Sequence, residues 1–83
     1  MIRHVLDVVA LPDLKLQLRF DTEEVRVFDV KPFLSRGRFA ILSDQTIFRQ
    51  ARVAFGTVEW PQDLDLDPED LYDLSIPLEL FRP

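Results

Sequence analysis

Apolar and polar residues alternate most regularly between residues 14 and 20. The apolar positions of this stretch are Leu14, Leu16, Leu18 and Phe20. A period of two is typical of a β-strand with one buried and one exposed face. Residues 25–30 are mostly β-branched or aromatic, and the polar residues 21–24 between the two stretches are few enough for a hairpin loop. The two stretches are therefore predicted to pair antiparallel.

An apolar stretch precedes this hairpin. Residues 5–11 are apolar at nearly every position, and Pro12-Asp13 interrupts the pattern. Strands that are buried on both faces have this composition. The stretch is predicted to be a strand that is covered on both faces or lies at a dimer seam, so three strands open the domain.

Turns and short elements are predicted for the middle of the chain. Pro32 and Gly37 favour a turn over residues 31–38 with one helical turn in it, anchored to the core by Phe33 and Leu34. Residues 43–46 have the composition to cap a short helix. Residues 51–55 and 57–60 are interpreted as two short strands around Gly56, or alternatively as one bent strand.

The stretch from Trp60 to Tyr72 predicts a corner between a strand and a helix. Leu64 and Leu66 alternate with aspartates, so the leucines can point inward while the carboxylates stay in water. Asp67 is a candidate N-cap, Pro68 suits the first helical position, and Glu69 and Asp70 place negative charge in the first turn. A helix is predicted from Pro68 to about Asp73, with Leu71 and Tyr72 directed toward the sheet. Regular structure is predicted to end at residues 75–77.

These elements predict one α+β domain over residues 1–83, with a core at 1–74 and a C-terminal tail at 75–83. It contains a small antiparallel β-sheet with a hairpin, a short middle helix or helical turn, and a short C-terminal helix. A chain of 83 residues has room for one core. Phe81, in the tail, is predicted either to pack over the core or to be exposed and bind another chain.

Charge is distributed unevenly along the chain, whose net charge is −5. Residues 1–58 contain nine Lys or Arg and seven Asp or Glu, whereas residues 59–83 contain one Arg and eight acids. A net negative charge disfavours non-specific nucleic-acid binding, which depends on neutralising phosphates. The acidic segment is interpreted either as a solvated rim or as a surface that a partner recognises.

The residue inventory predicts no catalytic, metal or cofactor site. The chain lacks cysteine and has one histidine, His4, so thiolate catalysis and two-histidine metal sites are excluded within one chain. The serines lack the flanking residues of a nucleophile elbow. Aspartates at 63, 65 and 67 imitate the start of a calcium loop, but Pro68 and Leu74 replace the glycine and glutamate that such a loop needs.

Two groups of charged residues are candidates for binding. The candidate partner-binding residues are Asp63, Asp65, Asp67, Glu69 and Asp70. The candidate anion-binding residues are Arg36, Arg38, Arg49 and Arg52. The arginines are alternatively expected to pair with the acidic segment, in surface pairs that contribute about 0–1 kcal/mol each.

One pattern resembles the bacterial family called domain of unknown function 2442. The pattern is Trp-Pro-x-x-x-Asp-x-x-Pro-x-x-Leu-Tyr, formed by Trp60, Pro61, Asp65, Pro68, Leu71 and Tyr72. Further agreeing positions are Phe20, Phe28, Asp29, Gly37, Phe39, Leu42, Asp44, Phe48 and Val53. The chain departs from the family at Thr22-Glu23, where Asp-Gly is usual, and at Asp63, where Gly is common.

The resemblance implies a small α+β domain around an antiparallel sheet and no known activity. Members of the family are similar to components of toxin-antitoxin pairs in their gene arrangement, and some carry an added helix-turn-helix, which this chain is expected to lack. The leading hypothesis is a non-enzymatic protein-binding module, antitoxin-like or an adaptor, whose partner is encoded by an adjacent gene.

Two alternatives remain at this point. One is an acidic inhibitor that imitates nucleic acid and blocks a nucleic-acid-binding defence complex, as phage anti-CRISPR proteins do. The other is weak nucleic-acid binding through the central arginines. In each case a cytoplasmic homodimer is expected, and because no apolar run approaches the roughly 18 residues that span a bilayer, membrane insertion is not.

Overall fold

The computed structural model describes residues 3–82 and contains two antiparallel sheets with short helical segments between them. The strands are β1 (Val5–Leu11), β2 (Lys15–Phe20), β3 (Val25–Asp29), β4 (Arg52–Ala54), β5 (Thr57–Trp60), β6 (Leu64–Asp65) and β7 (Ile76–Pro77). The α-helices are α1 (Gln45–Phe48) and α2 (Pro68–Asp73), and the 3-10 helices are Lys31–Phe33, Gly37–Ser43 and Leu78–Leu80. The predicted α+β class is confirmed. None of these helices is long and apolar enough to cross a membrane.

The first sheet has the strand order β1-β2-β3-β7. β2 pairs antiparallel with both β1 and β3, so the predicted opening strands and their hairpin are confirmed. The alternation in β2 places Leu16, Leu18 and Phe20 in the core, each with no exposed surface. The polar residues between them lie on the opposite face of the sheet, which we call the outer face.

β1 lies at an edge of this sheet, and it is not covered on both faces by residues 3–82. Its strand neighbour is β2, while Leu6 and Val9 are 42% and 51% exposed. The expectation of full cover is therefore wrong within the chain. Its physical reason is that the second sheet packs against one face of the first and leaves the other face open. The alternative expectation, a dimer seam, stays a prediction.

The second sheet has the order β4-β5-β6 and supplies the other half of the core. Val53 pairs with Val58, and Trp60 pairs with Leu64. The prediction of two short strands around Gly56 is confirmed. Trp60 is 1% exposed, and its indole N–H donates to the main-chain oxygen of Phe48 at 3.0 Å. This bond satisfies the one polar group that the buried indole carries.

The middle segment joins the two sheets and contains the predicted helical turn. Its 3-10 helix Lys31–Phe33 has proline near its start, and Phe33 is 4% exposed. Asp44 caps α1, since its carboxylate accepts a hydrogen bond from the Thr46 N–H at 2.9 Å. The predicted cap therefore forms, although the helix that follows is only four residues long.

The predicted C-terminal helix is confirmed as α2. The carboxylate of Asp67 accepts a hydrogen bond from the Glu69 N–H at 2.8 Å, and Pro68 occupies the first turn. Leu71 is fully buried, and the ring of Tyr72 meets that of Phe20 edge to face at 5.2 Å between centroids. The helix is therefore attached to the first sheet through its last turn.

The prediction that regular structure ends at residues 75–77 is wrong. Ile76 pairs with Val27, and Leu78–Leu80 then forms a 3-10 helix against β3. Arg26 holds this segment, because its guanidinium donates to the hydroxyl and the main-chain oxygen of Ser75 at 2.7 and 2.8 Å. Proline is tolerated there because β7 is an edge strand.

Candidate interaction surfaces

The acidic corner begins at the turn between β5 and β6. Gln62 and Asp63 both have positive φ angles, 72° and 58°. Leu64 and Leu66 are each 4% exposed, whereas Asp63, Asp65 and Asp67 are exposed. The predicted division into inward leucines and outward carboxylates is thus what the structure contains.

A row of charges crosses the second sheet beside this corner. Arg52, Glu59 and Asp65 are neighbours across β4, β5 and β6. The Arg52 guanidinium binds the Glu59 carboxylate at 2.7 and 2.9 Å. Asp65 stands at the end of the row, at the sheet edge, so its charge faces solvent.

The five candidate partner-binding residues divide into two groups. Asp67 caps α2, and the Glu69 carboxylate accepts a hydrogen bond from the Arg3 N–H at 3.2 Å. Within residues 3–82, the side chains of Asp63, Asp65 and Asp70 have neither a hydrogen bond nor an ion pair. Asp67 and Glu69 therefore have a structural role, whereas the carboxylates of Asp63, Asp65 and Asp70 are free to contact a partner.

The four central arginines lie in four different surroundings. Arg36 stacks over the ring of Phe33 at 4.4 Å, and Arg38 donates to the main-chain oxygen of Gln62. Arg49 borders a surface hollow at the end of β1, and Arg52 binds Glu59. In the part of the chain that the structure describes, Arg52 alone of the four forms an ion pair with the acidic segment. They do not converge on a common acceptor.

Phe55, which the sequence interpretation did not single out, is 100% exposed at the turn between β4 and β5. Phe55 and Gly56 form this two-residue turn with φ angles of 53° and 76°. Two-residue hairpin turns with positive φ favour Asn, Asp or Gly at the first central position. The sequence signal for this exposed residue was a phenylalanine directly before a glycine between two short strands. The pairing of Ala54 with Thr57 shows that Phe55 lies in the turn rather than in a strand.

The β4–β5 turn is fixed against the start of β1. The Val5 N–H donates to the main-chain oxygen of Gly56 at 2.8 Å. The His4 ring lies over Gly56 so closely that a Cβ there would be 2.6 Å from the His4 Cδ2. His4 also lies 3.4 Å from the carboxylate of Asp21, so it contacts both the β4–β5 turn and the β2–β3 turn.

Tyr72 attaches α2 to the β2–β3 hairpin. Its hydroxyl donates to the Glu24 carboxylate, and the guanidinium groups of Arg3 and Arg26 lie 4.2 and 4.4 Å from its ring centroid. The Tyr72 hydrogen bond is the largest of the effects that lower the pKa of Glu24. The same bond raises the pKa of Tyr72. The contact between these residues stabilises the fold and holds the Trp60–Tyr72 corner in place.

A largely apolar hollow of about 360 Å³ lies on the outer face of the first sheet. Its lining comprises Leu11, Pro12, Asp13, Lys15, Phe81 and Arg82. Phe81 is half-buried there, so it borders a surface that remains open. No group of three or more potential metal ligands occurs within residues 3–82.

The fold is similar to that of a solved protein from Nitrosomonas europaea ATCC 19718 that is named a putative DNA-binding protein. The two share 25% sequence identity with a TM-score of 0.79. The match covers 89% of this chain and 49% of that one, so this chain spans about half the length of that protein. No curated protein matches the chain.

The Trp-Pro to Leu-Tyr pattern and the hairpin before it lie within one family match. Residues 5–77 match the family described as "Protein of unknown function (DUF2442)". This range includes both sheets and α2, and it ends before the 3-10 helix Leu78–Leu80. The chain belongs to the DUF2442 family.

Proposed function

We propose that the protein is a non-enzymatic protein-binding module and that Phe55 is its anchor for a partner protein. The observation that carries the proposal is the complete exposure of Phe55 in a turn where its backbone has a φ of 53°. An L-residue in this region costs about 1–2 kcal/mol relative to its preferred conformations. The side chain gains nothing in return from burial in the folded chain.

Binding gives a reason for this residue type. Exposed aromatic side chains supply much of the free energy at protein interfaces, where they fill pockets of the partner. The turn beneath Phe55 is held by the Val5–Gly56 hydrogen bond and by the His4 ring. A partner therefore meets a pre-organised turn, which lowers the entropy cost of association.

The proposed partner is a protein encoded by an adjacent gene, in an antitoxin-like or adaptor role. This part of the proposal rests on the gene arrangement that the family resemblance implies. The test is co-expression of the chain with its neighbouring gene product, followed by calorimetry on the purified pair.

Phe55→Asn is the informative variant, because asparagine is favoured in this turn and the fold should be retained. Loss of a central aromatic anchor is expected to weaken binding by about 30-fold or more, which corresponds to about 2 kcal/mol. Leu74→Asn is a matched control at the residue after α2, where the side chain is 59% exposed. Unchanged affinity in Phe55→Asn, or equal losses in both variants, contradicts the proposal.

A second candidate function is an acidic inhibitor that presents carboxylates in place of phosphates to a nucleic-acid-binding defence complex. The observation that favours it is the set of free carboxylates at Asp63, Asp65 and Asp70. Residues two apart in an extended strand are about 6.6 Å apart, so the free carboxylate of Asp65 lies at about that spacing from the exposed N-cap residue Asp67. Complementary charge accelerates and steers such an association.

The test neutralises Asp63 and Asp65 as asparagines and leaves Asp67 in place, because Asp67 caps α2. Competition with single-stranded DNA for the target complex is expected to weaken, together with the salt dependence of binding. The control removes the same charge from the hairpin at Asp21 and Glu23. Equal inhibition by both double variants argues against recognition of the acidic corner.

Direct nucleic-acid binding by the central arginines is the weakest of the three proposals. The name of the Nitrosomonas protein favours it, but the chain spans only about half of that protein. Three of the four arginines contact separate groups, and the net charge is −5. A gel-shift series in salt tests it, and we expect no shift.

A further inference from the structure

A surface hollow of about 440 Å³ lies where the start of β3 meets the C-terminal segment. Its lining comprises Glu23, Glu24, Val25, Pro77, Leu78 and Glu79. The pairing of Arg26 with Pro77 brings these two stretches of the chain together. The hollow includes neither Phe55 nor the acidic corner, so it is separate from the surfaces that the proposed functions use.

The apolar part of this hollow stays open to water. Leu78, in its lining, is 39% exposed, and the nearby Ile76 and Leu80 are 44% and 63% exposed. Three large apolar side chains are thus partly exposed within five consecutive residues. Exposed apolar surface is stabilised when a partner removes it from water.

The rim of the hollow carries more negative charge than its neighbouring cations neutralise. The Arg19 guanidinium lies 3.2 Å from the Glu23 carboxylate, but it lies closer, at 2.6 Å, to that of Asp7. Within residues 3–82, the Glu79 carboxylate has neither a hydrogen bond nor an ion pair. One guanidinium therefore serves two carboxylates and a third has no counter-ion, which leaves a surplus of two negative charges.

We propose that the hollow binds a lysine or arginine side chain from a basic segment of a partner protein, in which apolar residues flank that side chain. Such a side chain buries its methylene stem along apolar surface and keeps its charged head at a polar site. The stem packs on Leu78, and the head meets the carboxylates of Glu23 and Glu79. The Glu24 carboxylate accepts the Tyr72 hydroxyl at 2.7 Å, so its main contact remains within the fold.

Other occupants match only one part of the lining. A purely apolar segment leaves the surplus carboxylates without a counter-ion, and burial of an unpaired charge is costly. A polycation without apolar residues leaves Ile76 and Leu80 in water. A nucleic acid is repelled by the surplus negative charge. The mixed segment satisfies both parts, because its apolar residues cover Ile76 and Leu80 while its cation binds the rim.

Calorimetry with synthetic peptides tests both halves of this match. The probe is a capped pentapeptide of alternating leucine and arginine. In one reference peptide citrulline, a neutral isostere of arginine, replaces each arginine, and in the other serine replaces each leucine. Each reference is expected to bind about ten-fold more weakly than the probe or worse, because it lacks either the charged hydrogen bonds or the apolar contact. Equal affinity of the probe and either reference overturns the proposal.

Protein variants locate the site. Replacing both Glu23 and Glu79 by glutamine is expected to weaken binding of the probe by about ten-fold. The control removes the same charge from the acidic corner, as Asp63→Asn with Asp65→Asn, and should bind the probe as the wild type does. Circular dichroism checks that both double variants are folded. In the labelled wild-type protein, the amide chemical-shift changes caused by the probe should centre on residues 23–25 and 78–80. Equal losses in the two double variants, or shift changes centred on the acidic corner, overturn the proposal.

Discussion

The hydroxyl of Tyr72 lies 2.7 and 3.0 Å from the two carboxylate oxygens of Glu24, although 48 residues separate them in the chain. This contact joins the last turn of α2 to the start of β3. Arg26 is part of the same arrangement, since its guanidinium contacts the Tyr72 ring and lies 3.3 Å from the Glu24 carboxylate. The attachment of the C-terminal helix therefore depends on protonation as well as on packing.

The pH dependence of stability provides the first prediction. The pKa of Glu24 is lowered from its ordinary value of 4.5, chiefly by the Tyr72 hydroxyl. A lowered pKa contributes stability that is present above pH 4.5 and lost as the pH falls through the folded-state value. Tyr72→Phe removes the main cause of the shift, so its deficit relative to the wild type should be largest above pH 4.5 and shrink in acid. Urea denaturation from pH 7 to pH 2, followed by the fluorescence of the single tryptophan, measures this. Glu24→Gln, which has no carboxylate to titrate, serves as the reference. If Tyr72→Phe is less stable than the wild type by the same amount at every pH, the prediction is contradicted.

The two glycines of the chain should respond differently to alanine. Gly37 has a φ of 50° with nothing within 4 Å of an added Cβ, so Gly37→Ala should cost only the backbone conformation, about 1–2 kcal/mol. Gly56 has a φ of 76° and lies under the His4 ring, so Gly56→Ala should cost more. Thermal unfolding of both variants tests this order. In a His4→Ala background the cost of Gly56→Ala should fall to that of Gly37→Ala, and a cost that does not fall refutes the role of the ring.

Two departures from the family pattern occur where the backbone favours glycine. Glu23 has a φ of 70° and Asp63 a φ of 58°, a region that glycine adopts without steric cost. Glu23→Gly should raise the free energy of unfolding by up to about 1 kcal/mol. Asp63→Gly should raise it less, because aspartate tolerates this conformation better than most residues. Chemical denaturation distinguishes the two, and destabilisation by Glu23→Gly counts against this explanation.

The acidic run should separate into a structural residue and free residues when each aspartate is replaced by alanine. Asp67→Ala removes the N-cap of α2 and should cost about 1 kcal/mol. Asp65→Ala, at an exposed position at the sheet edge, should change stability by less than about 0.5 kcal/mol. If the two substitutions destabilise the protein equally, the N-cap of α2 is not what makes Asp67 stabilising.

The sequence predicts best those elements whose causes lie within a few residues. The alternation from Leu16 to Phe20, the Asp44 cap and the Asp67-Pro68 helix start all depend on neighbours in the chain, and all three form as predicted. The predicted start of the alternation at Leu14 is wrong, because Leu14 lies in the turn before β2 with a φ of 58°. The division of the Trp60–Tyr72 segment into buried leucines and exposed aspartates has the same local origin. The family was also identifiable from the sequence, because its distinctive pattern falls within 13 consecutive residues.

Features that depend on distant residues could not be predicted in this way. β7 exists because Ile76 pairs with Val27, and Arg26 holds Ser75 across 49 residues. Whether Phe55 and Val9 are covered depends on how the two sheets pack, and composition carries no information about that packing. Hydrogen-bonding and steric preferences act locally, within a turn or a strand, and for this reason the elements were predictable from the sequence. The exposed surfaces on which the proposed functions depend are instead determined by which distant segments of the chain pack together.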